Sequence, residues 1–102
     1  MARYSKHKFD ANTERVATFS NALSHPARID ILTIISNKKH CSCGEVVNLL
    51  PYSQSTVSQH LTELKIAGLI DATSNKTKTI YTINQDGIDE CVYRFTTFMK
   101  SI

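Results

Sequence analysis

The sequence predicts a mainly α-helical fold with one small β-hairpin, about five helices in the order α-α-α-α-β-β-α. Three observations predict it. Apolar residues recur at helical spacing up to about Leu64 and again from Ile88 to the end. Between these stretches, from Leu69 to Ile83, the apolar period drops to two, as in strands. Residues suited to capping helices stand at the breaks: Ser42, Ser53 and Gly68. One domain, 1–102, is the limit for 102 residues.

Composition narrows the function classes. With 41% apolar and 21% charged residues, the chain is an ordinary globular sequence. A formal charge of +3 and a pI of 8.8 are mildly basic, compatible with a nucleic-acid partner without demanding one. No apolar run approaches the roughly 18 residues of a membrane span. Met1 to Asp10 lacks the apolar core of a secretory leader, so a soluble, cytoplasmic protein with no membrane contact is expected. Three cysteines, two of them at Cys41 and Cys43, fit reduced thiols better than a disulfide framework. No nucleophile–base spacing or carboxylate pair stands out, and 3 glycines leave little to build a phosphate cradle, so no enzyme is expected.

Residues 1–9 read as a flexible basic arm with Arg3, Lys6, His7 and Lys8. A first helix over 10–23 places Val16, Phe19 and Leu23 on one side, with Phe9 a heptad before Val16. Ser24-His25-Pro26 breaks it, because proline disfavours helical geometry in the residue before it and starts helices well. A second helix from Pro26 to Ser36 buries Ile31, Leu32, Ile34 and Ile35, and Asn37-Lys38-Lys39-His40 ends it. Ser42 and Glu45 have the spacing of a capping box, which starts a short third helix with Val46, Val47, Leu49 and Leu50 as its apolar side. Leu50-Pro51-Tyr52 is a turn, and Ser53 caps a fourth helix that runs to Gly68. A short helix, a tight turn and a longer helix over 42–68 make a helix-turn-helix.

Leu69-Ile70-Asp71-Ala72 and Thr79-Ile80-Tyr81-Thr82-Ile83 read as two strands, and Thr73 to Lys78 as a turn-rich basic tip. This hairpin over 69–83 is a wing, which makes the fold a winged helix-turn-helix. Lys76 and Lys78 are placed to reach a phosphate backbone, although two lysines on a hairpin tip also serve plain solubility. The last helix, 86–102, carries a stripe of Ile88, Cys91, Val92, Phe95, Phe98, Met99 and Ile102. A small winged domain has limited means to cover that stripe together with the 10–23 helix. A homodimer built from these two helices is therefore expected.

The fourth helix carries the functional argument. Val57, Leu61 and Leu64 form its inward face. Roughly opposite stand Ser55, Ser58, Gln59 and Thr62, with Gln54 at the N-terminal end. A solvated helix face usually carries Lys and Glu, whereas here charge is held back to Glu63 and Lys65. Gln can bond adenine bidentately, and Ser or Thr can bond base edges or phosphate. Double-stranded DNA is the expected partner. Two-fold symmetry would suit a palindromic operator with half-sites about 34–36 Å apart. A winged helix used only for protein contact is the rival reading. It predicts no salt-dependent DNA binding and has no need of a groove-facing surface so poor in charge.

At this point the sequence resembles the ArsR/SmtB family of winged-helix repressors, the arsenic- and metal-sensing type. The match covers roughly Leu23 to Asn84. It rests on Leu23-Ser24-His25-Pro26-Ala27-Arg28 with Ile31-Leu32, on Ser55-Thr56-Val57-Ser58-Gln59-His60-Leu61 with Leu64, on Ala67-Gly68-Leu69-Ile70, and on Tyr81 with Ile83. The resemblance implies a DNA-binding repressor in which Gln54, Ser55, Ser58 and Gln59 contact bases and phosphates, and it extends the set to His60, which lies beside the apolar face and reads equally as a half-buried structural histidine. The wing departs from the family's Gly-Arg tip, carrying Asn75-Lys76-Thr77-Lys78 instead.

By the same resemblance, Cys41 and Cys43 stand where the family's sensors carry a Cys-x-Cys. Two thiolates one residue apart can converge on As(III), Cd(II), Pb(II) or Zn(II). A helix N-terminus at Cys43 and nearby Lys38 and Lys39 should favour thiolate. The family's third cysteine position is Val46 here, which leaves His40, His7 or Cys91 of either subunit as third ligand, although Cys91, in the apolar stripe of the last helix, reads first as a packed small hydrophobe. The last helix has no histidine for the zinc-sensor site. Three readings of the cysteines stay open: release from DNA by a thiophilic metal or metalloid, a redox or reactive-sulfur switch, and no sensing role.

Overall fold

A computed structural model describes residues 8–102. The elements follow in the order α1 (Ala11–Ala22), α2 (Pro26–Lys38), β1 (Cys41–Ser42), α3 (Cys43–Leu49), α4 (Gln54–Ile66), β2 (Ile70–Asn75), β3 (Lys78–Ile83) and α5 (Gln85–Ser101). The mainly α winged helix-turn-helix order expected from the sequence is present. The basic arm, His7 included, lies almost wholly outside the described residues.

Each of these helices starts at a side chain that accepts a backbone N–H. Asp10 accepts from Thr13 at 2.7 Å and His25 Nδ1 from Ala27 at 3.2 Å. Ser42 and Glu45 bond each other's backbone N–H reciprocally at 3.2 and 2.9 Å. Ser53 accepts from Thr56 at 3.3 Å, and Asn84 from Gly87 at 3.0 Å. The α4 helix ends as the glycine predicts. Gly68 takes φ 85°, which a Cβ would oppose, and the N–H groups of Gly68 and Leu69 return to Lys65 and Leu64 at 2.9 and 3.1 Å.

These helices bury one stripe each. Phe19, Ile31, Ile35, Val46, Val57, Leu61, Leu64, Leu69 and Ile70 form the core, with Cys41 among them. Each large side chain so buried contributes roughly 1.5–3 kcal/mol by removal from water.

The structure revises several local expectations. Strand β1 was not foreseen: Cys41 pairs with Tyr81 and Ser42 with Ile80, giving a sheet in the order β1-β3-β2. A two-residue strand is too short to show a period. The hairpin is longer and its tip tighter than expected. Asn75 pairs with Lys78, so only Lys76 (φ 57°) and Thr77 turn, and the polar run before them is strand held by its ladder. The α2 helix continues through Asn37 and Lys38, closing at Lys39 with φ 73°. Leu49 is exposed, not part of the inward side of α3.

The first and last helices pack together within the chain. Arg15 on α1 grips Glu90 on α5 through Nε and Nη2 at 3.1 and 3.3 Å, and its guanidinium lies 4.4 Å from the centre of the Phe19 ring. Arg94 bonds the same carboxylate at 3.3 Å. Only Cys91 of the expected α5 stripe is buried, with Ile88 and Phe95 packed against the core. Val92, Met99 and Ile102 stay exposed, with Phe98 and Tyr93 beside them.

Candidate nucleic-acid interface

Helix α4 turns Val57, Leu61 and Leu64 into the core, which fixes its rotation. Gln54, Ser55, Ser58, Gln59 and Thr62 are thereby all exposed. The hydroxyls at the helix start are linked: Ser53 Oγ lies 3.2 Å from Ser55 Oγ and donates to Thr56 Oγ1 at 3.0 Å. Thr62 donates its hydroxyl hydrogen to the Ser58 carbonyl at 3.0 Å, leaving its oxygen free to accept. Among the described residues the side chains of Gln54 and Gln59 meet no hydrogen-bond partner, and their amides can both donate and accept.

His60 does not join this face. It is 7% exposed, on the inward side of the helix, and its Nδ1 accepts from Arg28 Nε at 3.1 Å. The extension of the contact set to His60 is corrected on that ground. At 100° per residue His60 follows Gln59 but sits beside Val57 and Leu64, and α2 covers that side.

An open groove of about 640 Å³ separates helix α4 from the wing. Gln54 and Ser58 of α4, Thr77, Lys78, Thr79 and Tyr81 of the wing, and Ser42, Cys43, Gly44 and Glu45 of β1 and α3 all line it. Lys78 therefore belongs to the groove, while Lys76 stands exposed at the hairpin turn. Neither Thr79 nor Tyr81 is among the contact residues the sequence suggests, although their alternation in β3 puts them on one face. The Tyr81 hydroxyl is pushed up from its ordinary pKa by burial and then by Cys43.

The cysteines differ from one another. Cys41 is fully buried in β1, and Cys43 is half-buried at the groove. Burial raises the pKa of Cys41, with Glu45 adding to it, and burial alone raises that of Cys43. The expected thiolate at Cys43 is thus corrected: desolvation outweighs the helix N-terminus. Glu45, fixed by the Ser42 backbone N–H, is held below the usual carboxylate range. Among the described residues no group of three or more His, Cys, Asp and Glu side chains is placed to hold a metal ion. Cys91 is buried in α5 beside Arg15 and Glu90, and among the described residues neither it nor His40 forms a group of three with the pair. As placed, the sulfurs do not fit a three-ligand site. Nor is any described helix long and apolar enough to cross a membrane.

Residues 25–72, spanning α2 to the first residues of β2, match the bacterial regulatory protein, arsR family. The HTH-type transcriptional regulator YgaV of Escherichia coli (strain K12) is 31% identical over 85 residues, 83% of this chain and 86% of that protein. The chain belongs to the arsR family. As an arsR-family protein it is a DNA-binding transcriptional regulator and not an enzyme. The arsenical resistance operon repressor of Staphylococcus xylosus is 29% identical, over 74% of this chain and 72% of the repressor. A homodimeric winged helix-turn-helix DNA-binding domain from Mycobacterium bovis superposes with a TM-score of 0.70 at 20% identity, covering 92% of this chain and 90% of that one. That likeness shows the winged helix-turn-helix fold.

Proposed function

We propose that this arsR-family regulator is a homodimeric repressor that reads a palindromic operator in the cytoplasm. Gln54, Ser55, Ser58, Gln59 and Thr62 enter the major groove, and Lys76 and Lys78 hold the flanking backbone. The observation that carries the reading is the groove that Gln54 and Ser58 of α4 line together with Lys78 of the wing. A base-reading surface and a phosphate-binding cation then meet one duplex side by side. Dimerisation is supported by the apolar residues left exposed on α5, Val92, Met99 and Ile102, and by the homodimeric state of the Mycobacterium bovis domain.

A thiol-borne release signal is a second part of the reading. What supports it is the position of Cys43 in the same groove as Gln54, Ser58 and Lys78. A thiophilic ion or an oxidant acting on that sulfur would alter the walls between which DNA lies. A third metal ligand would have to come from His7 or from a partner subunit.

The test is a titration of the reduced protein on a duplex recovered from a random-sequence pool by repeated selection, with and without As(III), Cd(II), Zn(II) and peroxide. The reading expects tight, sequence-selective and salt-sensitive binding by a dimer. It further expects release by one of the added agents, abolished by Cys43→Ser. Binding without sequence preference would defeat the base-reading assignment. Selective binding indifferent to every agent would remove the thiol signal and leave the repressor.

A further inference from the structure

Among the described residues, His60 is the one buried polar or charged side chain. It sits on α4 one position from Gln59, about 100° further round the helix. Its Nδ1 accepts from Arg28 Nε at 3.1 Å, so the neutral ring carries its proton on Nε2. The same guanidinium donates through Nη1 to the carbonyls of Asn21 and Ala22 at 3.1 and 3.5 Å, which are the last carbonyls of α1. Arg28 thereby ties three helices together: the α1 C-terminus, its own α2, and α4.

We propose that Arg28 and His60 are positioning residues, a brace that sets the roll of α4 against α1 and α2 and that opens when the His60 ring takes up a proton. The inference rests on α4 being the base-reading helix. Gln59 and His60 are neighbours on one rigid helix, so any roll that moves the imidazole out also re-aims the glutamine. Because α1 belongs to the surface proposed for dimerisation, the brace also sets the angle between the two reading helices of a dimer.

The brace has a single chemical weak point. A protonated imidazole has two donors and no acceptor, so it cannot receive the Arg28 N–H, and it puts a second positive charge against the guanidinium. Two titratable groups face the ring: Arg28, and His25 with its centroid 4.6 Å away at an interplanar angle of 51°. Both are cationic when charged, and both oppose the proton. Burial adds most to that opposition, and together they hold His60 below the ordinary histidine range. The ring is therefore neutral and the brace closed at neutral pH. It opens only on acidification, and affinity then falls, for each His60 ring that must lose its proton on binding, by up to about tenfold per pH unit below the ring's pKa.

The experiment measures binding of the intact protein to the pool-selected duplex between about pH 8 and pH 5. Wild type is expected to lose affinity over the acid part of this range. The His60→Gln variant, whose amide oxygen can accept from Arg28 without titrating, is expected to lose the acid dependence. His25→Asn, which keeps a capping acceptor, is expected to retain it. The same acid loss in His60→Gln, or its disappearance in His25→Asn, would overturn the brace. Nitrogen NMR of the free wild-type protein removes any dependence on the variants folding. It should show His60 as the Nε2–H tautomer, titrating below an ordinary histidine. An Nδ1–H tautomer would overturn the proposal. Failure of wild type to select any duplex would defeat the reading of α4 instead, and the tautomer would still decide the brace.

Discussion

Gly87, in the first turn of α5, lies directly against the carbonyl of Gly68, the residue that ends α4. A Cβ built on Gly87 would overlap the Gly68 oxygen and crowd its carbonyl carbon. The contact is reinforced on both sides: Asn84 N–H donates to the Leu69 carbonyl at 3.0 Å, and Gly87 N–H to the Asn84 side chain at 3.0 Å. The end of the DNA-facing helix and the start of the last helix are thus held backbone to backbone.

Gly87→Ala should therefore be costly despite the helix-favouring side chain. Forcing a methyl against fixed backbone costs about 1–3 kcal/mol. Gly44, in the first turn of α3, is the internal control, since its nearest neighbour would be Ser42 Oγ at 3.9 Å. Gly44→Ala should be neutral or stabilising by up to about 1 kcal/mol, because it restricts the unfolded chain. Urea unfolding of both variants measures the contrast. Equal midpoints would mean that α5 does not need the close approach.

The exposed face of α4 and the wing should fail differently. Gln59→Ala removes a donor–acceptor pair able to read one base, and is expected to weaken specific binding by about 1–3 kcal/mol while relaxing sequence preference. Lys78→Ala removes a charge from the groove, and is expected to weaken binding to every sequence and flatten the salt dependence by about one counterion. Competition titrations against selected and scrambled duplexes at several salt concentrations separate the two. A Gln59→Ala variant with unchanged selectivity would move base reading off this helix.

Local signals account for how much of this was legible in the sequence. Ser42 with Glu45, Ser53 and Gly68 each mark a helix end by chemistry confined to a few residues, and the structure uses all of them. The inward stripe of α4 follows from spacing alone. What escaped depends on partners distant in the chain. Strand β1 exists because Cys41 and Ser42 meet Tyr81 and Ile80, and Arg28 reaches His60 across 32 positions. Gly87 looks like a poor helix residue until Gly68 is placed beside it. The thiolate expected at Cys43 failed for a related reason: a helix N-terminus is visible in sequence, and burial is not.

Cysteine reactivity should follow that burial. With both thiols raised above their ordinary range, an alkylating agent near neutral pH should modify Cys43 more slowly than a free thiol and leave Cys41 untouched in the folded state. The rate at Cys43 should climb as pH rises toward its thiol pKa, and bound duplex should suppress it further if the groove is where DNA lies. Mass spectrometry of timed digests reads each site. Fast modification of Cys41 without unfolding would contradict its place in the core.

The α1–α5 contact carries its own pH dependence. Glu90 is held below the usual carboxylate range chiefly by the Arg15 hydrogen bond, with Arg94 adding to it. A carboxylate with a lowered folded pKa stabilises the fold above its unfolded value, 4.5, and that contribution is lost as pH falls through the lower folded value. The side chains are 32% and 37% exposed, so water and salt screen the Arg15–Glu90 pair. A two-pronged pair of this kind is expected to contribute about 0.5–1 kcal/mol. Glu90→Gln should therefore lower stability by about that amount near pH 7, and by progressively less at an acid pH below 4.5, as the wild-type carboxyl takes up its own proton. Added salt should shrink the difference at neutral pH. Paired denaturant titrations at the two pH values check this. A loss of the same size at both would assign the effect to packing of Arg15 over Phe19, and the charge on Glu90 would then have no part in joining the first helix to the last.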